Sequence, residues 1–165
     1  MAIYKVSRNI EASFVDFLKE QLELSWTNIS VIKGFEKAYD TKIPLPVVAI
    51  RAENTVYDKV EIGSNSFTRT VQVFVNLFAD SDGLRLDLKD SIIGILKNGL
   101  IYYEYTIAKQ GRNAIIEEKE ANGRIRIQSI DDTPIDFNID DKTKLNERDK
   151  YRHLLTLSVS IGRVE

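Results

Sequence analysis

The stretch Phe67–Ala79, FTRTVQVFVNLFA, constrains the fold more than any other part of the chain. Phe67, Arg69, Val71, Val73, Val75, Leu77 and Ala79 fall on one side of a period-2 pattern. Thr68, Thr70, Gln72, Phe74, Asn76 and Phe78 fall on the other. Side chains alternate across a strand, and β-branched and aromatic residues suit its pleated surface, so the run predicts a long strand. Gly63-Ser64-Asn65-Ser66 is a turn cluster, and Val56–Ile62 alternates in front of it. The short separation predicts an antiparallel hairpin over Val56–Ala79.

Two stretches change period from 2 to 3.6. Between Ser7 and Leu24 the apolar residues Ile10, Phe14, Phe17, Leu18 and Leu22 make one helical stripe, with Asp16, Lys19 and Glu20 between them. Ser7 or Asn9 suits the N-cap, and Glu11 suits the positive end of the helix dipole. The second helix opens at Asp80-Ser81-Asp82-Gly83 and carries Leu84, Leu88, Ile92, Ile95 and Leu96 on one face. Asn98-Gly99 ends it with a left-handed cap. The expected helices cover about 8–24 and 82–97.

The other segments are extended. Ile29–Ile32 predicts a short strand. Two prolines make Lys42–Pro46 a lead-in rather than a central strand, and Val47–Glu53 is a strand. Leu100–Thr106 is β-prone, and Ala114–Lys119 and Arg124–Ile130 flank Asn122-Gly123, a hairpin turn pair. Arg152–Ile161 alternates regularly and closes the sheet. Asp131–Lys150 is polar and acidic, with Ile135, Phe137, Ile139 and Leu145 as its apolar anchors. It is expected to be a mobile loop in the free chain that orders on assembly. The 165 residues thus predict one α+β domain, with a mostly antiparallel β-sheet and two amphipathic helices packed on one face.

Composition narrows the chemistry. Without cysteine there is no disulfide, thiol nucleophile or cysteine zinc site. A net charge of −2 argues against a polycationic nucleic-acid binder. No apolar run approaches the ~20 residues that span a bilayer, and the N-terminal residues lack the pattern of a signal peptide. The single histidine, His153, has no nucleophile elbow beside it and reads as a surface or strand-edge residue. Gly83 alone makes no phosphate cradle, and Asp131–Asp141 lacks calcium-loop spacing. Ile115-Ile116-Glu117-Glu118-Lys119 holds a Glu-x-Lys, the strand motif of restriction-endonuclease-like nucleases. A metal-dependent nuclease using Glu117 and Lys119 would need a further acid such as Asp80. An exposed, charged hairpin arm explains the same residues. Tyr102, Tyr103 and Tyr105 suit core and edge packing, a protein interface or, least well, stacking on bases.

The order of elements resembles the tail terminator (tail completion) proteins of long-tailed bacteriophages. It is carried by the N-terminal helix over Ser7–Leu24, extended Pro46-Val47-Val48-Ala49-Ile50, and the strand Thr70–Ala79. That strand runs through Asp80-Ser81-Asp82 into a helix ending near Leu96, and Leu154–Ile161 closes the set. The resemblance covers most of residues 7–161. It implies a virion protein, made in the host cytoplasm, at the head-proximal end of the tail. Such proteins form a ring, usually a hexamer, that stops tube polymerisation and joins the tail to the head or neck. The implied partners are copies of itself, the tube protein and a head or neck connector. Membranes have no role, and DNA enters only as cargo passing through the channel. No catalytic residue, cofactor or metal is implied. Candidate interface residues are Lys59, Glu61, Tyr103, Ile135, Phe137 and Ile139. Another neck or head-closure connector is the alternative within the virion.

Overall fold

The computed structural model describes residues 2–34, 37–111, 114–134 and 150–162. Among these residues seven strands and two helices follow in the order β1 (Ala2–Ile3), α1 (Val6–Glu23), β2 (Ser30–Lys33), β3 (Val47–Lys59), β4 (Phe67–Phe78), α2 (Asp82–Leu96), β5 (Leu100–Ile107), β6 (Ile116–Pro134) and β7 (Arg152–Ser160). The strands lie in the order β1-β5-β6-β7-β4-β3-β2. Every pairing is antiparallel except β2 with β3. The fold is α+β, as the patterns predict.

The β4 alternation decides which face carries the core. Val71, Val73, Val75 and Leu77 share one face with Val48 and Ile50 of β3 and with Leu155, Leu157 and Val159 of β7. These residues join Ile10, Phe14, Leu18 and Leu22 of α1 and Leu88, Ile92 and Leu96 of α2 in one fully buried cluster. Both helices therefore cover the same face. A smaller cluster, Ala38, Val47, Ala49 and Phe78, closes part of the opposite face beneath Ile43 and Leu45. Covering on both faces is why Val47–Ile50 is buried without alternation.

The helix ends differ in how they are satisfied. Ser81 caps α2, its Oγ accepting from the Leu84 amide at 3.3 Å. Lys5 stands at the N-cap of α1 and gives it no side-chain bond. Ser7 and Asn9 lie inside α1, which corrects their expected capping role. Ser7 Oγ instead accepts from Arg69 Nη1 at 3.2 Å. Asn9 and Ser13, one turn apart on the buried side, face the edge of β5. Asn9 Oδ1 accepts from the Tyr105 amide (3.3 Å) and Ser13 Oγ from the Tyr103 amide (3.0 Å). Asn9 Nδ2 donates to the Tyr4 carbonyl and the Tyr102 hydroxyl, both at 3.2 Å. The helix thereby supplies partners where β1 is too short to pair with the rest of β5.

Two β-bulges replace expected breaks. Val47–Glu53 and Val56–Ile62 are not separate strands: β3 runs through, with Glu53-Asn54 opposite Gln72 alone. Glu11 Oε2 accepts from the Ala52 amide at this point (2.9 Å) and its other oxygen meets Lys33 at 3.5 Å. Asn122-Gly123 is likewise no hairpin turn. The chain passes through it within one strand, β6, and the pair stands opposite Tyr102 of β5. Gly123 takes φ +110°, which an L side chain would resist. An extra residue kinks a strand and strengthens its twist. Past this bulge β6 leaves β5 at Ile125 and pairs with β7 from Arg126 onward, so one strand joins the two halves of the sheet. Asp131 and Asp132 belong to β6 rather than to the expected acidic loop. Thr133 and Pro134 continue β6, and residues 135–149 of that loop lie outside the described residues.

Candidate assembly interface

Pairing between β4 and β7 ends at Val71–Val159. Beyond it β3 and β4 continue as a two-stranded ribbon, Val56–Lys59 against Phe67–Thr70, with Val60 bonding back to Ser66 across the turn. Val56, Tyr57 and Val60 are about half exposed on this ribbon, and Ile62 at its tip is fully exposed. Single exposed apolar residues need no explanation, but four within seven positions on one projecting element make it unusually apolar for a surface ribbon.

Register separates the ribbon faces. Tyr57 pairs with Arg69 and Lys59 with Phe67, so these four share a face. Arg69 lies 5.0 Å over the Tyr57 ring and Lys59 Nζ 6.0 Å from the Phe67 ring. The rings meet edge to face at 6.3 Å. The packing holds two cations on aromatic surface. Of the predicted interface residues, Lys59 ends β3 and Glu61 sits in the turn, both exposed.

Tyr103 is elsewhere. It lies on β5, separated from β3 by β6, β7 and β4. Lys119 Nζ stands 4.6 Å over its ring and Tyr105 packs against it at 6.4 Å. The Tyr105 hydroxyl donates to Asp16 Oδ2 at 2.6 Å. Burial, then the neighbouring carboxylate, pushes the Tyr105 phenol up. The tyrosine cluster thus ties β5 to α1, the packing alternative in the sequence. Ile135, Phe137 and Ile139 lie outside the described residues.

A cavity of about 210 Å³ opens beside this cluster, where β1 and the start of α1 meet β5 and β6. Glu104, Glu118, Glu120, Lys5, Tyr4 and Tyr102 line it. Glu104 is directly opposite Glu120, and Thr106 opposite Glu118, so the three carboxylates share one face. Like charges placed opposite each other on neighbouring strands repel.

The nuclease motif does not converge with its proposed further acid, Asp80. Lys119 Nζ is 3.7 Å from Asp16 on α1, whereas Asp80 lines a separate cavity with Leu45, Lys150 and Tyr151. Among the described residues no three His, Asp or Glu side chains gather in a metal-holding group.

The sequence missed one polar cluster. His153 is buried, only 3% exposed, not the surface or edge residue expected. Its Nδ1 is 2.7 Å from Arg85 Nη1, and its Nε2 bonds Asp132 Oδ1. Arg85 also reaches Asp82 at 2.8 Å, and Lys89 reaches Asp132 Oδ2 at 3.1 Å. Burial pushes the Asp132 carboxyl up, but the bonds from His153 and Lys89 outweigh it and leave it below the usual range. The bond to Asp132 outweighs burial at Lys89 and raises its ammonium above the ordinary value. This network fastens α2 to β6 and β7. The signal was the phase of β7, since His153 alternates with the core residues Leu155, Leu157 and Val159.

No family model matches the chain, and no curated protein is significantly similar to it. No described helix is long and apolar enough to cross a membrane.

Proposed function

We propose that this chain is a tail terminator of a long-tailed bacteriophage, a structural protein that closes into a ring on the end of the tail tube. The ring, of six copies by resemblance, stops tube growth and offers a surface to the head or neck connector, while DNA passes through its channel. On this reading the chain is not an enzyme and needs no cofactor.

The observation that carries the proposal is the β3–β4 ribbon. It projects beyond β7 and exposes Val56, Tyr57, Val60 and Ile62. A chain that works alone gains nothing from leaving these in water, at about 25 cal/mol per Å² of apolar surface. A subunit that buries them against a neighbour or the tube gains that free energy on assembly. The order α1, β3, long β4 running into α2, then closing β7 also supports it, because the resemblance rests on that order.

Light scattering over a concentration series tests the ring. Monomer and one closed species are expected, because head-to-tail contacts close when the rotation per subunit divides the circle. An open-ended series of sizes contradicts it. A neck or head-closure connector would use the same exposed ribbon; tail length distinguishes the two roles.

A further inference from the structure

We propose that the Tyr57–Lys59–Phe67–Arg69 face of one copy docks on the Glu104–Glu118–Glu120 cavity of another, with Lys59 entering the cavity. The inference rests on the ring reading and names the two surfaces that meet in it. Charge complementarity carries it. The ribbon face presents two cations and two aromatic rings with no acid among the four side chains. The cavity presents three carboxylates against the single ammonium of Lys5. Neither Lys59, Glu118 nor Glu120 forms an ion pair among the described residues. Their charges therefore stand ready for a partner.

Shape agrees with charge. The cavity has room for the end of a lysine side chain, and the exposed Ile3 in its lining offers apolar surface to the methylene stem. A cation entering there relieves the repulsion between Glu104 and Glu120. The two surfaces are different patches of one chain, so the contact is head to tail and propagates until it closes. It is partly exposed, so salt weakens it.

The test uses two full-length variants, Lys59→Glu and the double change Glu118→Lys with Glu120→Lys. All three positions are exposed, and circular dichroism checks that each variant keeps the wild-type fold. Sedimentation velocity across a concentration series should show each variant alone associating at least about tenfold more weakly than wild type, because like charges then face each other. An equimolar mixture of the two should recover association, since the altered ribbon of the first variant meets the altered cavity of the second with opposite charge, and the two unaltered surfaces keep the original contact. Association that survives both changes, or a mixture that stays dissociated, overturns the interface and leaves the ring reading standing. A wild-type chain that remains monomeric throughout also overturns this interface. Tail length in particles lacking the protein then judges the ring reading independently.

Discussion

Arg85 Nη1 on α2 lies 2.7 Å from His153 Nδ1 on β7. A guanidinium only donates, so Nδ1 must accept and the neutral ring keeps its proton on Nε2, where it donates to Asp132. Nitrogen NMR at neutral pH should show an unprotonated Nδ1 and a protonated Nε2. The opposite tautomer would contradict the network. Arg85→Ala should release the preference.

The same network sets a pH dependence. The Asp132 carboxyl is lower in the folded chain than in the unfolded one. Its contribution is present above the unfolded value, about 4, and is lost as pH falls through the lower folded value. The urea midpoints of wild type and Asp132→Asn should therefore converge below about pH 4. A constant gap from neutral pH to pH 3 rules this out. Lys89 is raised, so its share is present below its unfolded value and fades only as pH rises through the folded one. It should leave the neutral range flat.

How far the sequence is legible depends on whether a pattern is local. Both helices and β4 carry their own periodicity, and the boundaries of α2 followed from Ser81 and Gly99. The bulges did not. At Glu53-Asn54 and at Asn122-Gly123 two residues face one, so the alternation slips phase. In a single sequence a phase slip looks like the end of a strand, and Asn-Gly looks like a turn. Only the partner strand distinguishes them. The His153 network joins residues 21 and 68 positions apart, so tertiary contact assembles it. For the candidate site, Lys59 and Glu61 were legible because they sit at a predicted hairpin end. The acidic cavity was not, because its glutamates meet only through the β5–β6 register.

Asn9 holds three partners in a buried place: the Tyr105 amide, the Tyr4 carbonyl and the Tyr102 hydroxyl. Asn9→Ala removes all three bonds and opens a small void. It should cost about 2 kcal/mol or more, given 1–3 kcal/mol for each unsatisfied buried group. Ser13→Ala, which strands the Tyr103 amide alone, should cost less. Urea unfolding measures both. Equal and negligible losses would show that α1 does not complete the β5 edge.

Gly99 takes φ +73°, and a Cβ there would sit 2.5 Å from the Ile125 carbonyl oxygen. Left-handed backbone costs an alanine roughly 1–2 kcal/mol, and the clash with backbone adds to it. Gly99→Ala should therefore lower the urea midpoint clearly, while Gly94→Ala, which meets nothing within 4 Å, should not. A harmless Gly99→Ala would contradict the close approach of β6 to the end of α2.

The central claim is that this chain ends a growing tube. Electron microscopy of particles assembled without it measures that most directly, through the distribution of tail lengths. The account predicts tails of uncontrolled length that fail to join heads, restored to one length when the wild-type chain is supplied. Tails of normal, uniform length attached to heads in its absence would contradict it.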